Sequence, residues 1–202
     1  MATMQEITAG MSGFPREVPW TSFGPQSGSG AEAFTSAFYS LTHGRTQIVR
    51  GEYRRVGTRV AITLGPKSWA TTAARSSEDL RRHEQGHYDI TGLVGRDILM
   101  GIIDLSWSEA VVEAIKDSGD NKQTWMRWAD QKITADAKKI VDAGNALLSK
   151  LQTQPDGSDG IYDTDTNHSQ NTTGQNAWNT RFQRMKASTD NFGLMLKLEG
   201  VV

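Results

Sequence analysis

Residues 83–87 read His-Glu-Gln-Gly-His, a His-Glu-x-x-His pattern inside a segment that favours a helix. Side chains four residues apart lie on one helix face, so His83 and His87 are expected to direct ring nitrogens to one point. Glu84 follows His83 directly and can reach that point from the side. Two neutral imidazoles beside a carboxylate suit a zinc ion that activates water. The non-functional alternative is a solvent-exposed polar helix with two incidental histidines. The neighbouring charged residues Arg81 and Arg82 are consistent with that alternative.

A catalytic zinc ion usually takes three protein ligands, so a further side chain must come from elsewhere in the chain. His168 ranks first, because it is the only histidine in the polar, turn-rich stretch 153–169. A loop of that length inside a compact domain is more often functional or disordered than neutral. Four carboxylates remain open as alternatives, in the order Glu109 and Glu113, then Asp163 and Asp165.

The elements that must position these residues are predicted from periodicity and breaker residues. Ser76 or Ser77 is expected to cap the motif helix, with acidic residues in its first turn. Glycines 86, 92 and 95 lower helix propensity and indicate either close approach of a neighbouring element or flexible packing. The other expected segments are an irregular stretch 1–30, strands 33–41, 47–53 and 58–64, helices 106–116, 122–152 and 176–186, and a terminal strand within 192–198.

Composition narrows the class of protein. The chain has 202 residues, a net charge of −1 and no cysteine, so one α+β domain spanning 1–202 is expected, without disulfides or thiolate-bound zinc. The balance of charge offers no basic field for nucleic acid or an anionic membrane. The start lacks the features of a signal peptide, and no apolar run approaches the ~18 residues of a membrane span. A small N-terminal antiparallel sheet is expected to pack on the motif helix and further long helices.

Several segments resemble a bacterial family of predicted secreted zinc-dependent proteases, catalogued as a domain of unknown function. They occur in order between about residues 18 and 182: Val-Pro-Trp-Thr-Ser-Phe at 18–23, Pro-Lys-Ser-Trp at 66–69, His-Glu-Gln-Gly-His-Tyr-Asp-Ile at 83–90, Tyr-Asp-Thr-Asp-Thr-Asn-His at 162–168 and Gln-Asn-Ala-Trp at 175–178. The resemblance implies a zincin-like metallopeptidase domain that is periplasmic or secreted. It also implies a zinc site of His83, His87 and His168 with Glu84 as the catalytic base.

Two residues depart from the pattern of that family. Gly92 stands where an acidic residue is common, and Ser169 stands where a glycine is usual. Both departures bear on the surroundings of the site more than on its ligands.

The predicted reaction is metal-assisted hydrolysis of a peptide bond, with Glu84 moving the proton. Tyr162 is a candidate donor to the developing oxyanion or, equally, a packed aromatic residue. Asp89 or Asp163 could orient a ligand imidazole, because metal-bound histidines usually donate their second N–H. Two other functions remain open: a non-catalytic binding module, with or without a stabilising metal, and an amidase that acts on cell-wall peptides. A peptide or protein is the expected partner, and the sequence does not define an oligomeric state.

Overall fold

The computed structural model describes residues 1–26, 31–115, 121–152 and 158–202. Strands and helices within these ranges are numbered separately in chain order. The strands are β1 Met11–Ser12, β2 Ala33–Phe34, β3 Ala37–Thr42, β4 Arg45–Val49, β5 Glu52–Val56, β6 Arg59–Leu64, β7 Trp69–Ala70 and β8 Ser106–Ser108. The α-helices are α1 Met4–Gly10, α2 Glu78–Asp104, α3 Glu109–Ile115, α4 Lys122–Leu151, α5 Ile161–Thr166, α6 Thr172–Lys186 and α7 Phe192–Leu198.

The described residues form a mixed α+β fold, as the sequence predicts. Its strands lie in three small sheets, ordered β1-β6-β3, β2-β7 and β4-β5-β8. β6 pairs antiparallel with β3 and parallel with β1, so the expected antiparallel sheet has a parallel edge. The buried side chains of Val60 and Ile62 alternate along β6 and face α2, where Gly95 lies close to both.

Helix α2 lies in the main core and carries the His-Glu-x-x-His pattern. Ser77 caps it, because the Ser77 side chain accepts a hydrogen bond from the Leu80 amide at 3.2 Å. Beyond the motif, an apolar stripe through Ile90, Val94 and Ile98 is fully buried. Across the part of the chain that the structure describes, no helix is both long and apolar enough to cross a membrane.

The N-terminal stretch is more regular than predicted. Thr3 and Glu6 form a capping box: the Thr3 hydroxyl accepts from the Glu6 amide at 3.2 Å, and the Glu6 carboxylate accepts from the Thr3 amide at 2.9 Å. This box starts α1, which buries Ile7. The prediction of irregular chain over 1–30 is therefore wrong for residues 4–12, where the Thr-x-x-Glu signal outweighs the surrounding glycine content.

The predicted strand 47–53 is instead a hairpin. Arg50 and Gly51, with φ of 54° and 76°, turn the chain between β4 and β5. Two central residues with positive φ are typical of a two-residue hairpin turn. An arginine at the first of these positions is a weaker turn signal than Asn-Gly, so the sequence pattern did not reveal the turn.

Three other predicted segments differ from the structure. The tail is a helix, because Asn191 caps the Leu194 amide at 2.7 Å and the four-residue spacing of Phe192 and Leu196 buries both. The predicted helix 106–116 divides into β8 and α3 over residues 106–115, and residue 116 lies outside the described ranges. The stretch 153–169 contains α5, while its residues 153–157 lie outside the described ranges.

Candidate metal centre

Helix α2 brings the two motif histidines together. Their Nε2 atoms are 3.3 Å apart, and both side chains are largely shielded from solvent. Zinc–nitrogen distances of about 2.0–2.1 Å and a tetrahedral angle place two ligand nitrogens about 3.3–3.4 Å apart. The separation of the His83 and His87 nitrogens therefore fits two ligands of one metal ion.

Thr166 fixes the tautomer of His83. The Thr166 hydroxyl donates its only hydrogen to the Tyr162 carbonyl at 2.7 Å, and the same oxygen lies 3.1 Å from His83 Nδ1. Since that hydrogen is already used, the hydroxyl accepts a hydrogen bond from Nδ1–H. A neutral His83 therefore keeps its lone pair on Nε2, the nitrogen that faces His87.

Asp163, on α5, completes a triangle with the two histidines. Its Oδ1 atom lies 3.2 Å from His83 Nε2 and 3.1 Å from His87 Nε2, and its side chain is 1% exposed. All three edges of this triangle, at 3.1–3.3 Å, are close to the ligand separation of a tetrahedral zinc site. Asp163 ranks below His168 in the sequence analysis. In the structure, it is the candidate third ligand whose oxygen lies within 3.2 Å of both motif histidines.

His168 also belongs to a group that could hold a metal ion. Ligand atoms of His83, Asp163 and His168 all lie within 4.8 Å of one another. His168 is 55% exposed, and its Nδ1 is 3.8 Å from Asp163 Oδ1. Its other nitrogen, Nε2, lies 3.2 Å from Asp159 Oδ2. The predicted ligand is therefore at the centre, on its solvent side.

The turn that carries His168 has an unusual backbone. Asn167, His168 and Ser169 all have positive φ, at 45°, 49° and 77°. This left-handed region costs a residue with a side chain about 1–2 kcal/mol, and such residues cluster at functional sites. The conformation at Ser169 is one that favours glycine.

Glu84 is buried beside the two histidines. Its side chain lines the same cleft, and the residue is 4% exposed. Among the described residues, its Oε2 atom has no hydrogen-bond partner. A buried carboxylate oxygen without a partner is unfavourable unless a water molecule, proton or cation meets it. Two features therefore suit a metal ion that carries a water molecule: the ligand triangle and this oxygen of Glu84.

The acidic surroundings act on His87. Burial alone would lower its pKa, but the hydrogen bond to Asp163 and the charges of Asp163 and Glu84 outweigh burial and raise the pKa above its usual range. The surrounding carboxylates thus favour a positive charge at the point where the histidine nitrogens meet. The same electrostatic environment would favour a bound cation.

Tyr162 lies behind the metal centre instead of facing a substrate. Its ring stacks on His83 with centroids 4.9 Å apart. The fully buried hydroxyl donates to the His83 carbonyl at 3.0 Å and accepts from Gln175 Nε2 at 2.9 Å. With these bonds made, the geometry supports a positioning role and does not support the predicted donation to an oxyanion. Burial raises the pKa of Tyr162, which keeps the hydroxyl protonated.

Gly86 makes this packing possible. A Cβ atom at Gly86 would lie 2.0 Å from the Tyr162 hydroxyl, so only glycine admits the ring at this level of α2. A Cβ atom at Gly92 would likewise lie 2.1 Å from the Phe14 ring, which leaves no room for an acidic side chain. Of the two explanations for these glycines, the structure confirms close approach.

Other predicted residues have different partners. Glu109 pairs with Lys122 at 3.2 Å, and Asp165 accepts from Trp178 Nε1 at 2.9 Å. Asp89 accepts from Gln85 and Lys186, so it does not orient a ligand imidazole. Glu113 is exposed on α3 and is not part of the candidate metal group.

The sequence did not identify Thr166, Gln152 or Asp159. Gln152 Nε2 donates to the His87 carbonyl at 2.9 Å and ties the end of α4 to the motif helix. A signal for Thr166 existed in its spacing, since residues 163 and 166 share a face once 161–166 is recognised as helix. A cleft of about 400 Å³ opens beside the centre, and its lining includes Gln152, Asp159 and the segment around β2.

Comparison of the chain with models of protein families, with curated proteins and with solved structures finds no match.

Proposed function

We propose that this protein is a zinc-dependent hydrolase of peptide bonds, with a zincin-like arrangement of motif helix and flanking sheets. The observation that carries the proposal is a triangle of ligand atoms from His83, His87 and Asp163. Beside it lies a buried oxygen of Glu84 that has no hydrogen-bond partner within the described ranges. Zinc fits this set because imidazole and carboxylate are common zinc ligands and the three edges suit a tetrahedral ion.

Each residue then has a defined task. A bound zinc ion would supply a Lewis acid that makes water a stronger nucleophile and polarises a carbonyl group. Glu84 takes a proton from the attacking water at Oε2 and passes it to the leaving nitrogen. Thr166 holds the His83 tautomer, and Tyr162 supports the His83 ring from behind. Burial of the centre strengthens these electrostatic interactions.

The backbone beside the cleft suits an extended peptide. In the β2-β7 ladder, the register leaves the N–H and C=O of Ala33 on the side away from β7. Ala33 also lines the cleft. A peptide strand could therefore add to this edge and run past Glu84, which is the substrate class that the sequence analysis predicts. Export to the periplasm or the medium remains an expectation of the family resemblance.

A second candidate is favoured by His168. If it joins the other three side chains and the ion takes no fifth ligand, the site is closed to water, and closed sites are usually structural. The protein would then be a metal-stabilised binding module. An amidase of cell-wall peptides would use the same centre with another substrate, and a panel of peptides and cell-wall fragments separates it from a peptidase.

The test is Glu84→Gln, with Glu78→Gln as the matched control in the exposed first turn of α2. General-base catalysis contributes about 10²–10⁴-fold, so Glu84→Gln should lose at least about 100-fold in cleavage of a mixed peptide library while keeping its zinc. The control should cleave like the wild type. Undiminished turnover in Glu84→Gln would remove the mechanism. A wild type that binds zinc but cleaves nothing in the library would favour the binding module.

A further inference from the structure

His168 has two nitrogens with different neighbours. Nε2 lies 3.2 Å from Asp159 Oδ2, whereas Nδ1 lies 3.8 Å from Asp163 Oδ1, inside the metal group. A carboxylate accepts hydrogen bonds, so the shorter contact places a hydrogen on Nε2. In the neutral imidazole, the lone pair is then on Nδ1 and faces the metal centre.

We propose that Asp159 is a positioning residue that holds His168 in this tautomer and orientation, making its Nδ1 the fourth, solvent-side protein ligand of the metal. With four protein ligands, the ion would have to take water as a fifth ligand for hydrolysis, an expansion that catalytic zinc sites allow. The inference rests on the metal centre proposed above. A carboxylate behind a ligand histidine fixes the direction of the ring and increases its basicity. Thr166 performs the corresponding task for His83, so two of the site's histidines are each oriented by an oxygen acceptor from the 159–166 segment.

The need for such a residue follows from the exposure of His168. His83 and His87 are fixed by a buried helix, but the His168 side chain is 55% exposed on a turn with positive φ. Without Asp159, the ring could rotate toward solvent, and Nδ1 would spend less time near the ion. The side chain of Asp159 is itself 46% exposed, so its contact with His168 can be removed without opening the core.

The experiment measures zinc affinity of the metal-free protein by competition with a chromophoric chelator. Asp159→Ala is expected to weaken zinc binding about 10–100-fold, the range seen when the carboxylate behind a ligand histidine is lost. Asp159→Asn should lose less, because its amide oxygen still accepts from Nε2–H. The control is Asp79→Ala, which removes an exposed carboxylate from the same helix as the motif and should leave affinity unchanged.

A double variant separates positioning from general electrostatics. If Asp159 acts through His168, then Asp159→Ala with His168→Ala should bind zinc no more weakly than His168→Ala alone. Thermal stability of the metal-free variants should stay at the wild-type value. Wild-type affinity in Asp159→Ala, or a double variant in which the two losses multiply, would overturn the proposal. These outcomes leave the proposed function intact, whereas it fails if the wild type binds no zinc or Glu84→Gln retains full turnover.

Discussion

Replacing Gly86 by alanine tests whether Tyr162 holds the centre together. The new methyl carbon would lie 2.0 Å from the Tyr162 hydroxyl and 2.4 Å from ring carbon Cζ. Ordinary contact begins near 3.4 Å, so the hydroxyl must move by at least about 1.4 Å (3.4 − 2.0). Tyr162 is 0% exposed and packs against Trp178 and Phe182, so the ring has no free space to enter.

The magnitude follows from three opposing effects. Alanine improves the helix propensity of α2 by about 1 kcal/mol. Overpacking costs about 1–3 kcal/mol, and loss of the two Tyr162 hydrogen bonds costs about 1 kcal/mol each. The net expectation for Gly86→Ala is a loss of roughly 2–4 kcal/mol in the free energy of unfolding. Asp163 follows Tyr162 directly, so zinc affinity should fall as well.

Urea denaturation of the metal-free protein and chelator competition measure the two effects. Gly101→Ala is the matched control, because it lies in α2 and the three atoms nearest to its Cβ would all belong to the Ile140 side chain, at 3.0–3.6 Å. That control should remain within about 1 kcal/mol of the wild type, since its helix gain offsets the contact. A Gly86→Ala protein as stable as the control, with wild-type zinc affinity, would refute the positioning role of Tyr162.

Three other perturbations have defined outcomes. Ser169→Gly should raise the free energy of unfolding by about 1 kcal/mol in urea denaturation, because glycine relieves a φ of 77°; no gain would contradict the strained turn. Zinc affinity should fall as the pH is lowered, and the fall should begin at a pH above about 6.5, because the raised pKa of His87 lets a proton compete with the metal. Chelator competition at several pH values measures this affinity, and an affinity independent of pH would exclude imidazole ligands. Burial raises the pKa of Asp97 from 3.8 to about 6. The protonated carboxyl group therefore stabilises the fold below about pH 4, and this contribution of about 3 kcal/mol is lost as the pH rises through 6. Asp97→Asn should lack this component of the pH profile of unfolding, and parallel profiles for variant and wild type would contradict the shift.

Local signals predicted the part of the site that lies on one helix. The Ser77 cap and the shared face of His83 and His87 both depend on residues near one another in the chain. The α4 helix was predicted over 122–152 and occurs as Lys122–Leu151, because its apolar spacing is regular over many turns.

The rest of the centre depends on tertiary packing. Residues 161–166 contain Thr and Asp, which have low helix propensity, so the sequence read as loop. Tyr162 packs into the gap at Gly86, and the resulting helix places Asp163 and Thr166 toward α2. Without that helix, the sequence gives no reason to rank Asp163 above His168 as a ligand.

The terminal segment is a second case in which tertiary packing overrides the local sequence pattern: a helix forms where a strand was predicted. Leucines at 194, 196 and 198 alternate as in a strand, but the Asn191 cap and the burial of Phe192 and Leu196 select a helix. Alternation over so few residues is weak, and contacts with the rest of the core determine the outcome.

The most direct measurement is zinc titration of metal-free wild type, Asp163→Asn and Asp165→Asn in the presence of a competing chelator. The ligand triangle predicts one zinc ion per wild-type chain. It also predicts a loss of roughly 100-fold or more in Asp163→Asn, beyond the range for residues behind a ligand. Asp165→Asn, two residues away on α5, should bind zinc like the wild type. A wild type without zinc, or an Asp163→Asn protein with unchanged affinity, would contradict the proposed centre.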